Sequence, residues 1–139
     1  MGNELDKEQM LTLHSEYVGD VQVQLEIQQY MNNGCIYIGL NCMEDGDLEP
    51  YGDLTVNLEG KVPHYCGYLD VNNMPGIEKF VTDNGIGEFT GLTKRSGFCE
   101  FPLYMFDPDK LKELCPDGMK AYEDNIGVKK APEVKEKAR

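Results

Sequence analysis

Two histidines, His14 and His64, and five cysteines, Cys35, Cys42, Cys66, Cys99 and Cys115, are the side chains of this 139-residue chain best suited to metal ligation or nucleophilic attack. His64 and Cys66 flank Tyr65, so an extended strand would point both to one side. Zinc needs four ligands in a tetrahedron, and no second spaced pair completes the set. A partly buried cysteine beside a surface histidine is the simpler reading. Nucleophilic catalysis needs a serine or cysteine activated by a base, and no nucleophile elbow accompanies these histidines. The acids of "EDGD" at 44–47 lack the twelve-residue spacing and closing glutamate of a calcium loop. "GIGEFTG" has glycines but neither the lysine of a phosphate loop nor dinucleotide-binding spacing. The expectation is therefore no catalytic residue, no metal and no cofactor.

Charge is the stronger signal. Acidic residues number 25 and basic residues 13, for a net charge of −12. The last twelve residues, "VKKAPEVKEKAR", hold five basic and two acidic side chains, so the preceding 127 residues carry a net −15. Such a field repels nucleic acid and anionic membranes and favours a basic partner. It also keeps small proteins soluble. The candidate contact residues are Glu44, Asp45, Asp47 and Glu49 at a hairpin tip, Asn72 and Asn73 before a helix, and the basic pair Lys94 and Arg95. The asparagines have a structural alternative as turn or capping residues. Lys94 and Arg95 are too few for a nucleic-acid footprint and are read as pairing with the protein's own acids or fixing an interface.

The elements that must position these residues follow from periodicity. "NELDKEQMLTL" at 3–13 carries a partial apolar stripe and reads as a short peripheral helix within residues 1–15. "VQVQLEIQ" alternates Val21, Val23, Leu25 and Ile27 with polar residues, the mark of a strand with one wet face. "NNG" at 32–34 turns the chain. "CIYIGLNCM" is a second strand, with Ile36, Ile38, Leu40 and Cys42 inward. "EDGDLEP" turns back into a third, "YGDLTVNLEG", with Leu54, Val56 and Leu58 aligned. "GYLDV" is a short strand or an extended connection. Pro75 starts a helix through Asn84 that ends at Gly85. "IGEFTGLTKRSG" is a loop holding at most a short strand. "FCEFPLYMF" is the last clear strand, with Cys99, Phe101, Leu103 and Met105 on one face, and Pro102 places it at an edge or a bulge. "DPDKLKELC" is a helix capped by Asp107 with Pro108 in its first turn and Leu111 and Leu114 inward, and "PDGMKAYEDNIG" adds a turn or two. The eight tyrosines lie mostly in or near strands and suit sheet packing.

This amounts to an α+β fold: one antiparallel sheet of four or five strands covered on one face by two or three helices. Residues 1–127 form a single domain, and 128–139 form a charged, disordered tail. The polar N-terminus "MGNELDKEQM", the odd cysteine count and the lack of a long apolar run predict a cytoplasmic protein with reduced thiols and no membrane contact.

"LTVNL" at 54–58, "YLDVNNMPGIEKFVTDNGIGEFTG" at 68–91 and "SGFCEFPLYMF" at 96–106 resemble the DUF4313 domain family of small bacterial proteins, over roughly residues 20–114. The resemblance implies an accessory role on a mobile element and a cytoplasmic setting. It implies no activity and assigns no catalytic residue.

The functional expectation is a non-catalytic, acidic protein-binding module, in its sharper form an inhibitor that covers a basic nucleic-acid channel of a host protein. The alternatives are a structural homo-oligomer, joined through the proline-bearing edge strand or a tyrosine-rich face, and a small-molecule-binding protein or enzyme with a pocket linking Asn72–Asn73 to Lys94–Arg95.

Overall fold

The computed structural model describes residues 10–15 and 18–127. Four strands, β1 (Leu11–Ser15), β2 (Gly19–Gln29), β3 (Ile36–Glu44) and β4 (Asp47–Asp53), form an antiparallel sheet in that order. Four more, β5 (Thr55–Val56), β6 (Cys66–Leu69), β7 (Gly87–Ser96) and β8 (Cys99–Phe106), form a second sheet in the order β5-β6-β8-β7. Three helices among the described residues complete the fold: α1 (Ile77–Asp83), α2 (Pro108–Leu114) and α3 (Pro116–Ile126). The class is α+β, as the periodicity predicts, but the strands divide between two sheets. No helix among the described residues is long and apolar enough to cross a membrane.

The division occurs at Leu54. "YGDLTVNLEG" reads as one strand, yet the chain leaves the first sheet after Asp53 and enters the second at Thr55. The fully buried Leu54 serves both sheets: its amide donates to the Ile38 carbonyl at 2.8 Å, and its carbonyl accepts from the Asp70 amide at 3.0 Å. Thr55 Oγ1 accepts from the Ile38 amide at 3.1 Å and bonds the Tyr30 hydroxyl at 2.8 Å. A buried hydroxyl is costly unless bonded, and these two contacts satisfy it.

One apolar cluster joins the inner faces of both sheets to the helices. Val23, Leu25, Ile27, Ile36, Ile38 and Leu40 come from β2 and β3, Tyr104 and Phe106 from β8, Phe80 and Val81 from α1, and Leu111, Met119 and Tyr122 from α2 and α3. The alternation read in the sequence supplies the β2 and β3 contributions directly.

Four expectations are corrected. Residues 11–13 are strand, not helix: Leu11 pairs with Val23 and Leu13 with Val21, and Leu13 is buried. The rest of the expected N-terminal helix, and the tail, lie outside the described residues. Pro75 sits in the turn before α1, whose N-cap is Gly76 at φ 88°. The far end of α1 is as read: Gly85 is left-handed, its amide donates to Thr82 and that of Ile86 donates to Val81, the double bond of a Schellman stop.

"IGEFTGLTKRSG" is mostly β7, a ten-residue edge strand. Its bulge between Phe89 and Thr93 hid the alternation. Finally, β8 lies between β6 and β7 and is not an edge, so the other reading of Pro102 holds: the β7–β8 register shifts at a bulge between Phe89 and Thr93, and Thr93 is the partner of Pro102. Phe106 donates its amide to Tyr65, so by strand alternation position 102 would also donate toward β6. The β6–β8 ladder stops at Tyr68↔Leu103, one residue short of Pro102. Its core face is Tyr104 and Phe106, while Met105 is exposed. The proline on a true edge is Pro50, in β4.

Candidate functional site

The acidic segment forms an arm. Strands β3 and β4 are joined by Asp45 at φ 52° and Gly46 at φ 87°, between the paired residues Glu44 and Asp47. A two-residue loop with both φ positive is the type I′ turn, which Asp-Gly favours because its twist matches that of the flanking strands. The β2–β3 ladder ends at Val23↔Cys42, whereas the β3–β4 ladder continues through Met43↔Leu48 and Glu44↔Asp47. The last two rungs therefore part from β2, which runs on to Gly19 paired with β1, and pair only with each other.

The arm carries two kinds of side chain. Asp45, Asp47 and Glu49 are exposed, and no ion pair among the described residues involves them. Four lysines elsewhere are engaged: Lys79 pairs with Asp83, Lys110 with Glu113, Lys112 with Glu123 and Lys120 with Asp124. Other carboxylates are held by tyrosine hydroxyls. Tyr37 donates to Asp53 at 2.6 Å, Tyr65 to Glu123 at 2.6 Å and Tyr104 to Glu78 at 2.5 Å. The arm thus groups three exposed carboxylates outside these ion pairs within five residues, whereas Glu59, Glu88, Asp109 and Asp117, also exposed and outside them, stand apart in the chain. Across from each other on it stand Met43 and Leu48, 45% and 41% exposed. Sequence reading missed these two, although Met43 and Leu48 flank the Asp-Gly turn at symmetric positions that a two-residue hairpin must pair.

The other predicted contact residues lie elsewhere. Asn72 and Asn73 are exposed, and Asn73 donates to the buried Asp70 carboxylate from its amide at 3.4 Å and from Nδ2 at 3.0 Å. Asn73 therefore fixes the turn between β6 and α1. That turn packs on the far end of β4, where a Cβ on Gly52 would lie 3.1 Å from the Met74 sulfur. At the strand rise, Gly52 is about 17 Å along β4 from Asp47. Lys94 and Arg95 belong to β7. Lys94 donates Nζ to the Glu59 carbonyl, and Arg95 sits opposite Glu100. No hydrogen bond or ion pair among the described residues links them to the arm or to the asparagines.

Clefts among the described residues include one of about 490 Å³ between β1 and α1, one of about 470 Å³ beside Lys61 and His64, and one of about 10 Å³ beside Leu58. None is lined by Asn72, Asn73, Lys94 or Arg95. No group of three or more histidine, cysteine or acidic side chains among the described residues could hold a metal. His64 and Cys66 part company because Tyr65 between them is left-handed, at φ 68°, which leaves His64 exposed and Cys66 buried. Burial pushes the thiols of Cys66 and Cys115 above the ordinary cysteine value, which keeps them protonated and poorly nucleophilic near neutral pH.

No curated protein and no solved structure matches the chain. The model of a family described as a domain of unknown function, DUF4313, matches residues 24–126, a span that includes the arm, both asparagines and the basic pair, and the chain belongs to that family.

Proposed function

We propose that this is a non-catalytic accessory protein that captures a basic protein surface with the β3–β4 arm. The observation that carries the reading is the pair of β3–β4 rungs that part from β2, with Asp45, Asp47 and Glu49 exposed and outside every ion pair among the described residues. Carboxylates in this setting raise the capture rate of a cationic partner and set its orientation. Met43 and Leu48 supply an apolar patch that such a contact can desolvate, with the acids as its polar rim. In the bacterial mobile-element setting that the resemblance implies, the fitting partner is a host protein whose basic channel ordinarily holds nucleic acid, with arm carboxylates in place of phosphates. The protein acts in the cytoplasm in this reading.

The test is capture from a host lysate by the protein and by its Asp45→Asn/Asp47→Asn/Glu49→Gln variant. Captured proteins are released by a step to about 0.5 M salt, where the screening length falls well below its physiological ~8 Å. The expected result is a salt-released basic protein that the variant does not hold and that duplex DNA displaces. Equal capture by the two proteins, or release that ignores both salt and DNA, excludes the arm as the contact. Homo-oligomerisation through β7 is disfavoured, because its bulge and the bond from the Leu92 amide to Thr90 Oγ1 interrupt that edge.

A further inference from the structure

We propose that the groove between residues 61–64 and the end of α3 binds a small hydroxylated organic anion. Its volume of about 470 Å³ falls in the range of about 300–1,000 Å³ typical of metabolite sites. Its described lining includes Lys61 and His64 and contains no aspartate or glutamate. That is a local reversal of sign in a chain with 25 acids and 13 basic residues. Both side chains are exposed, and neither takes part in an ion pair or side-chain hydrogen bond among the described residues. Lys61 is the groove's positive group and His64 adds a ring N–H donor, and an anion is the chemistry that fits them.

The rest of the groove is set before any ligand arrives. Asn125 donates to Gln29 at 2.8 Å, and Gln29 donates to the Gly34 carbonyl at 2.8 Å. Asn33 accepts the Cys35 amide at 3.0 Å and donates to the Gly60 carbonyl at 3.0 Å. On the opposite side the Cys66 amide closes a turn onto the Pro63 carbonyl at 3.1 Å. The left-handed Tyr65 beyond His64 is held by the hydrogen bond that its amide donates to the Tyr122 hydroxyl oxygen. Preorganisation of this kind lowers the ordering cost of binding.

Two features narrow the ligand. Asn125 and Ile126 end α3, where last-turn carbonyls lack intrahelical partners and offer acceptors. A ligand with a hydroxyl beside its charged end meets both Lys61 and these acceptors. The overall negative field disfavours a polyanion and leaves a compact molecule of low charge. A carboxylate or a phosphate ester supplies the charged end equally well.

The test is an NMR titration of the labelled full-length protein with malate and, separately, glycerol phosphate. It is repeated on Lys61→Gln and His64→Gln, both at exposed positions, and on the arm triple variant. Saturable shifts are expected at the Asn33, Cys35 and Asn125 amides, weakened about tenfold by Lys61→Gln and unchanged in the arm variant. Response to malate alone identifies a carboxylate site, response to glycerol phosphate alone a phosphate site, and response to both a general anion site. The proposal is overturned if neither probe gives saturable shifts at the groove, or if Lys61→Gln leaves them as strong. A change confined to the arm variant bears on the preceding reading and not on this one.

Discussion

Tyr122 clamps the left-handed backbone of Tyr65: its hydroxyl oxygen accepts the Tyr65 amide at 3.0 Å, and the two rings meet edge to face with centroids 5.6 Å apart. Tyr65 completes the clamp at both other ends. Its hydroxyl donates to Glu123 and its carbonyl accepts from Phe106 at 2.7 Å. One residue thus ties the entry of β6 to α3 and to β8. A non-glycine residue in this region carries backbone strain of order 1–3 kcal/mol, sustained by the contacts around it.

Tyr122→Phe keeps the ring contact and removes the acceptor that the described residues give the Tyr65 amide. The expected loss is about 1 kcal/mol, the low end of the cost of leaving a buried donor unsatisfied, because this bond is part-buried. Urea denaturation reads this as a lower midpoint at unchanged slope. An unchanged midpoint would show that the clamp contributes nothing.

Stability should decline in alkaline solution. The hydroxyls of Tyr37, Tyr65 and Tyr104 are pushed above the ordinary tyrosine value of 10.0, first by burial and then by the carboxylates to which they donate. The Cys66 and Cys115 thiols are raised above 9.0 by burial. A raised folded-state pKa means that the unfolded chain releases its proton first as pH climbs. The stabilisation is therefore whole below about pH 9, erodes through the thiol and then the tyrosine range, and is lost above the folded-state values. Thermal midpoints between pH 7 and 11 should be flat and then fall, with a shallower fall in Tyr37→Phe. A midpoint that rises above pH 9 contradicts the assignment.

Gly118 in the first turn of α3 is required for steric reasons. A Cβ there would lie 2.8 Å from Cys115 Sγ, 2.9 Å from the Ile27 carbonyl oxygen and 3.0 Å from Ile27 Cβ. The carbonyl belongs to the core strand β2 and cannot swing aside. Alanine gains roughly 1 kcal/mol of helix propensity over glycine, but overpacking costs about 1–3 kcal/mol. The clash should win, and Gly118→Ala should lower the thermal midpoint. A higher midpoint would mean that α3 shifts freely on β2.

Much of the local structure was legible. β2 and β3 announced themselves through period-two alternation, and both Asp107 and Gly85 perform the capping tasks that their types suggest. The misreadings share a cause: a local pattern interrupted by a tertiary event. The β7 bulge broke an alternation, and the sheet change at Leu54 split an apparently continuous strand. The candidate site was half visible. The arm acids and their Asp-Gly turn stood in the sequence, while their separation from β2 depends on where the β2–β3 ladder ends.

Periodicity, composition and turn chemistry act over a few residues, and they alone dictate the α+β class, the acidic surplus and the turn that exposes part of it. Tertiary structure decided which strands are edges, which carboxylates are held by tyrosines and which are left on the arm, and that Lys61 and His64 share a groove with Asn125. Those outcomes depend on partners far apart in the chain, such as Tyr65 and Glu123, 58 positions apart. No local pattern encodes such a meeting, because it exists only once the two sheets and the helices bury their common core.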